Sequence, residues 1–231
     1  MTSDHLSGVL ERLDTWLEGN TPGEVPALNP SATQDAIDRV AEGRFSLHPD
    51  LVALLRWHNG IRFGLPHNAG YILPGGYSIL PAQSMEGGQR EMEQLVAWSL
   101  EEDTDEVVTM FIVADGVEIV GDGQTHYLRE DLGLTAAPAT AHVKWVPIGA
   151  TRSGDRLVVD HRHGPMYGNV HAVAHDGTDF QTAWDSVRAM CEDMLISLEA
   201  NQPLTACRLG SGYVPRIRTT SFGAMLDWEI I

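Results

Sequence analysis

The sequence predicts an α+β fold, with a mostly antiparallel central sheet flanked by N-terminal helices and covered by a long C-terminal helix. Three observations carry that reading. Apolar residues recur at helical spacing at both ends of the 231-residue chain. The middle holds short strand-like runs. Those runs follow one another too closely for parallel crossovers, which need about a dozen residues each. Helices layered on one antiparallel sheet satisfy all three.

Leu6, Val9, Leu10, Leu13, Trp16 and Leu17 line one face of a first helix, which Gly19 and Asn20 stop. Ser31 and Gln34 have capping-box spacing ahead of Ala36, Ile37 and Val40. Pro49 opens a third helix in the first turn, where its missing N–H has no intrahelical partner. Leu51, Leu54 and Leu55 follow, and Asn59-Gly60 ends it. His58 stands at that end, where the helix dipole favours an imidazolium; a surface or cap role is expected. Short strands are expected at 71–73 and 77–80, around Pro74-Gly75-Gly76. Helical spacing returns over 84–100 through Met92, Leu95 and Val96, weakened at its start by Gly87 and Gly88.

The second half is β-rich, with strands expected over 107–113, 117–120, 125–128, 143–148, 156–160 and 169–174. Thr178 and Gln181 again have capping-box spacing. Phe180, Trp184, Val187, Cys191, Met194, Leu195 and Leu198 then predict the long helix that covers the sheet, with Cys191 a core thiol. The last thirty residues predict an extended segment that folds back and ends in a short helix near Phe222, Met225, Leu226 and Trp228. The whole chain, 1–231, reads as one domain. Residues 201–231 form an extension packed on that domain or placed at an interface.

Charge narrows the function. Asp and Glu number 32 against 15 Lys and Arg, a net charge of −17. Such a field repels a phosphate backbone and steers basic partners inward, which disfavours direct nucleic-acid binding. No run approaches the roughly 20 apolar residues of a membrane span. Met1-Thr2-Ser3-Asp4-His5 lacks the basic start and apolar run of a secretory signal, and Cys191 and Cys207 are too few for a disulfide framework. A cytoplasmic setting with reduced thiols is expected. Between Glu86 and Glu106 there are eight acidic residues and one basic, Arg90. The densest part, Glu101, Glu102, Asp103, Asp105 and Glu106, is a candidate docking surface for a basic partner; a solvated helix face is the ordinary alternative.

No phosphate-cradling glycine loop, dinucleotide pattern, nucleophile elbow or helical His-Glu pair is present, so no cofactor is expected. The one local constellation is Asp160-His161-Arg162-His163 with His171 and His175. On a strand, His171 and His175 stand about 13 Å apart, far beyond metal–ligand distances near ~2 Å. Polar strand-rim histidines are the preferred reading. A metal-dependent catalyst built on Asp160, His161, His163 and His171 is the weaker alternative.

Two blocks carry a family resemblance. The first is Leu28-Asn29-Pro30 followed by His48-Pro49-Asp50-Leu51 through Trp57-His58-Asn59-Gly60. The second is Trp145-Val146-Pro147-Ile148-Gly149, Gly154-Asp155, Leu157-Val158-Val159-Asp160, Gly164 and Gly168-Asn169-Val170. In order and separation these resemble the SUKH superfamily, which includes the fungal cell-wall assembly regulators and many bacterial immunity proteins. The resemblance spans about residues 6–200. It implies a protein-binding module without a shared catalytic centre: an immunity protein that blocks a toxin domain, or a regulatory or scaffold protein. The acidic balance suits a basic toxin domain as partner.

Within the second block, Pro147 suggests an edge or bulge, Gly154-Asp155 a hairpin turn, and Asp160 a strand end accepting backbone donors. Partner contact by Asp155 or Asp160 stays open beside these local roles. Two features depart from the family pattern. His48 stands where a glycine or leucine-like residue is commoner, and the histidine-rich turn at 161–163 is local to this chain.

Overall fold

Helix α1 (Ser3–Asn20) buries Leu6, Val9, Leu10, Leu13 and Leu17, the stripe its spacing predicts. Each such side chain contributes roughly 1.5–3 kcal/mol of burial before chain entropy is subtracted. The computed structural model describes residues 3–23, 25–62, 72–101, 111–113, 117–120, 124–127, 142, 144–175, 180–210, 212–221 and 223–231.

Helices α2 (Gln34–Ala41) and α3 (Pro49–Trp57) follow. The cap of α2 is Thr33, whose Oγ1 accepts the Ala36 N–H at 3.3 Å; it is not the Ser31 that the spacing suggests. Ala32 donates its backbone N–H to Leu55 at 2.9 Å, which holds residue 32 on α3 and delays the helix. Of the short strands expected next, β1 (Ser78–Ile79) forms, after a turn of 3₁₀-helix at Pro74–Gly76. Helix α4 (Ala82–Glu101) runs through both weakening glycines. A Cβ at Gly88 would come within 2.6 Å of the Pro147 ring, so the glycine permits α4 to sit against the sheet.

Strands β2 (Phe111–Val113), β3 (Val117–Val120) and β4 (Gln124–Tyr127) form a small antiparallel sheet at the expected positions. The expected residues 107–110 and 128 lie outside the described residues. The larger sheet joins β1, β5 (Trp145–Ala150), β6 (Arg156–Asp160), β7 (Val170–Val173) and β8 (Phe180–Trp184) in that order. Every pairing in it is antiparallel. Pro147 sits at the register shift between β5 and β6, the bulge its missing donor implies. It is not on an edge strand, because β5 lies between β1 and β6.

The sheet has two chemically different faces. Val146, Ile148, Leu157, Val159, Val170 and Ala172 join α1, α3 and α5 (Val187–Ala200) in the main core. Trp145, Val158, Asp160, His171 and Thr182 share the opposite face, as alternation and register require.

Two further sequence expectations are corrected. Residues 180–184 pair with β7 as a strand, and α5 starts only at Val187, capped by Ser186. Phe180, Thr182 and Trp184 also fit a period of two, and cross-strand pairing decides between the periods. The Ser186 Oγ accepts the Ala189 N–H at 2.9 Å. Ser186→Ala is therefore expected to cost about 1 kcal/mol in a denaturant titration. The cap that the spacing predicts, Thr178, lies outside the described residues.

The tail ends in no helix. It forms a hairpin of β9 (Tyr213–Thr220) and β10 (Gly223–Ile230), in which Met225, Leu226 and Trp228 pair across with Arg218, Ile217 and Pro215. The Trp228 Nε1–H donates to the Ile72 carbonyl at 2.8 Å, and the Gly23 N–H donates to Ala224 at 3.1 Å.

Candidate functional site

Strand β6 holds the two acidic candidates of the second sequence block apart, roughly 16 Å along the strand. Asp155 precedes the strand in the expected hairpin turn. Its carboxylate accepts from Ser153 Oγ at 2.7 Å, Thr151 Oγ1 at 3.2 Å and the His175 N–H at 3.2 Å. The Ser153 bond is the main reason its acid form is disfavoured and its pKa lowered. The side chain remains partly exposed.

Asp160 closes the strand and is fully buried. Its Oδ1 accepts the Arg162 backbone N–H at 2.8 Å. Its Oδ2 meets Arg162 Nη2 at 2.6 Å, Arg162 Nε at 2.9 Å and His171 Nε2 at 3.2 Å. His171 Nδ1 in turn meets Thr182 Oγ1 at 3.1 Å. The Arg162 guanidinium lies 5.4 Å from the centroid of a Trp145 ring, a cation–π distance. Burial pushes the Asp160 carboxyl up, but the His171 and Arg162 hydrogen bonds and the Arg162 charge outweigh it and hold the pKa down at about 2. The group is a carboxylate whose oxygens are already engaged.

The same residue ties both ends of the following loop. The Asp160 N–H donates to Asn169 at 3.0 Å, and the Gly168 N–H donates to the Asp160 carbonyl at 2.7 Å. His161 turns away from this network. Its Nδ1–H donates to the Val159 carbonyl at 3.0 Å, which leaves Nε2 to accept the His48 backbone N–H at 2.9 Å. His48 caps α3, with Nδ1 accepting the Asp50 N–H at 3.2 Å. Gly168 has φ +88°, and a Cβ there would lie 2.7 Å from the His48 ring, so the loop closes on α3 through a residue without a side chain. Burial lowers the pKa of both histidines, that of His161 to about 4. The two departures from the family pattern thus meet in space and complete each other.

Other candidates fall elsewhere. His163 stands over Tyr167, with ring centroids 6.4 Å apart and planes 11° from parallel. His175 pairs with Asp155. Asp160 and His171 come together, whereas His161 and His163 face α3 and Tyr167. Among the described residues no three His, Cys, Asp or Glu side chains are placed to hold one ion. His58 is the C-terminal cap residue of α3, with Nε2 3.0 Å from Asp14. Cys191 is buried as expected, its thiol pushed up to about 12 by burial.

Of the acidic run, Glu101 ends α4, and Glu102, Asp103, Asp105 and Glu106 lie outside the described residues. Of its earlier members, Glu86 is paired with Arg90 at 2.8 Å and Glu91 with Arg156 at 2.5 Å. No described helix is long and apolar enough to cross a membrane. Sequence reading placed Arg162 in the constellation without giving it a role, and missed Thr182. The Asp-x-Arg spacing was the available signal for the first, and none pointed to the second.

The two sequence blocks therefore converge at the contact between α3 and the loop after β6. A model of the SMI1/KNR4 family (SUKH-1) matches residues 31–193, which takes in the second block and all of the first but Leu28-Asn29-Pro30. The chain belongs to that family. The SMI1/KNR4 match takes in α2 to α4, the larger sheet and the first half of α5. Helix α1 and the β9–β10 hairpin lie outside it. No curated protein matches the chain.

Proposed function

We propose that the protein is a non-enzymatic binding module of the SUKH type that neutralises a basic toxin domain by covering it. The family match over 31–193 carries the reading, because SUKH domains are typically immunity proteins. The net charge of −17 supports a basic partner through long-range steering. The Asp160 network supports action by contact: its acid and bases are spent on one another inside the fold, which leaves the loop surface as its product. Two thiols without a bridge suit the reducing cytoplasm.

The test is a pull-down from the native source, followed by binding of the purified basic protein it recovers. A stoichiometric complex that abolishes that protein's activity is the expected result. Failure to bind any basic protein would remove the reading.

The acidic stretch has its own test. Replacing Glu101, Glu102, Asp103, Asp105 and Glu106 by lysine is expected to slow association by about tenfold or more at low salt and to flatten its salt dependence. Stopped-flow association rates at several ionic strengths measure both. Unchanged rates would place the docking surface elsewhere.

A further inference from the structure

The loop 161–168 is built as a rigid pedestal, and what it lifts into solvent is aromatic. Arg162 is held to Asp160, Tyr167 donates its backbone N–H to Gly164 at 3.2 Å, and Asn169 donates to Met166 at 3.0 Å. Beneath it, His161 is fastened to the start of α3. A loop ordered by this many bonds has little conformational entropy left to lose on binding. Its tip exposes His163, Pro165 and Tyr167, with Met166 half-buried.

Tyr167 stands out by where it lies. Among the described residues, the exposed large hydrophobic side chains are Tyr167, Ile196, Ile217, Ile230 and Ile231. Tyr167 is the only aromatic one and the only one inside the matched stretch 31–193. The residue is 40% exposed, and its ring is braced by His48, whose ring centroid is 5.0 Å away. The tip sequence His163 to Tyr167 holds no Asp, Glu, Lys or Arg, and below it Arg162 is paired with Asp160 and Arg188 with Asp50 at 2.9 Å. The tip is thus a charge-depleted patch bearing Tyr, His and Met on a strongly acidic protein. Interface centres have this composition, a charge-poor aromatic middle inside a charged surround.

We infer that the loop tip is the protein's partner-contacting element, and that the Tyr167 ring, with His163 beside it, takes a lysine or arginine side chain of a basic protein. The inference rests on the proposed function. The acidic field brings a cationic surface in, and an aromatic ring then takes a cation at a lower desolvation cost than a carboxylate would. Tyrosine adds a large contact area for only two rotatable bonds.

The basic protein recovered by the pull-down is the probe, titrated against wild-type protein and variants by isothermal calorimetry. Tyr167→Ala is expected to weaken binding about thirtyfold and Tyr167→Leu nearly as much, while Tyr167→Phe stays within about threefold. Loss in Leu with retention in Phe marks a requirement for the aromatic face, which simple apolar burial would not show. Thermal melts of each variant verify folding. A photocrosslinking benzoylphenylalanine at position 163 is expected to form an adduct with the same protein, read by mass spectrometry, even if a Tyr167 variant fails to fold. If wild-type protein binds and Tyr167→Ala binds equally well, or the position-163 adduct is absent, the inference falls and the proposed function stands. If wild-type protein binds no basic protein, both fall.

Discussion

Replacing Asp160 with alanine is expected to destabilise the protein by about 3–5 kcal/mol, the cost of stripping one partner from a buried ion pair. The substitution leaves Arg162 beside Trp145 without its counter-charge and His171 without its acceptor, both in the interior. It also frees the Arg162 backbone N–H that Asp160 Oδ1 holds. Urea unfolding at pH 7.5 should show a lower midpoint at unchanged slope, since the area exposed on unfolding barely changes. The double variant Asp160→Ala/Arg162→Leu should recover part of the loss, because the stranded cation is gone. A loss below about 1 kcal/mol in the single variant would mean that water reaches the pair and that it behaves as a surface bridge. Because Asp160 anchors both ends of the loop 161–168, the same variant should also loosen the surface that carries Tyr167.

Acid is expected to begin destabilising the protein above the range in which carboxylates titrate. His142 and His161 are buried, and burial, the largest cause for each, lowers their pKa values to about 3 and about 4. In the unfolded chain both return to about 6.5. Below that value the unfolded state takes up protons that the folded state refuses. The stabilisation is therefore complete above pH 6.5 and is lost as pH falls towards 4 and then 3. Two such histidines remove about 2 kcal/mol between pH 6.5 and 5.5, and about 2.7 kcal/mol for each further unit while both remain neutral in the fold.

The groups facing these histidines modify that penalty without reversing it. Arg162 and Lys144 push the His142 pKa down further and Asp160 opposes them, while His161 is raised by Asp160 and lowered by His48. Asp160 itself contributes only later, its stabilisation being lost from roughly pH 4 down to about 2. Denaturant titrations from pH 7.5 to 4.5 measure the slope. His161→Gln, which retains an acceptor for the His48 N–H, should remove about half of it. A flat profile over that interval would show that the two rings are protonated in the folded protein.

Much of the architecture was legible because local periodicity reports which face of an element is buried. The α1 stripe, the proline-started α3, the bulge at Pro147 and the turn at Gly154-Asp155 all follow from residues within one element or one turn. The errors share one cause. Residues 180–184 suit both periods, and only pairing with β7 selects the strand. Met225, Leu226 and Trp228 look like a helical turn until β9 lies beside them. Thr33 caps α2 because a bond from Ala32 to Leu55, on another helix, sets where the helix can begin. The candidate site was legible as chemistry and not as geometry: Asp160 and the histidines were singled out, but their partners and directions were not.

The sequence alone determined the acidic character, the antiparallel class and the residues of the two SUKH blocks, because composition and local spacing are properties of the chain itself. The tertiary structure decided that Asp160 faces inward to Arg162 and His171, and that His161 reaches His48 across 113 residues of chain. It also decided that Tyr167 is left in solvent. Burial and hydrogen-bond partnership depend on which distant backbone arrives at a side chain, and that is fixed only when the sheet takes its register and α3 packs against the loop beyond β6.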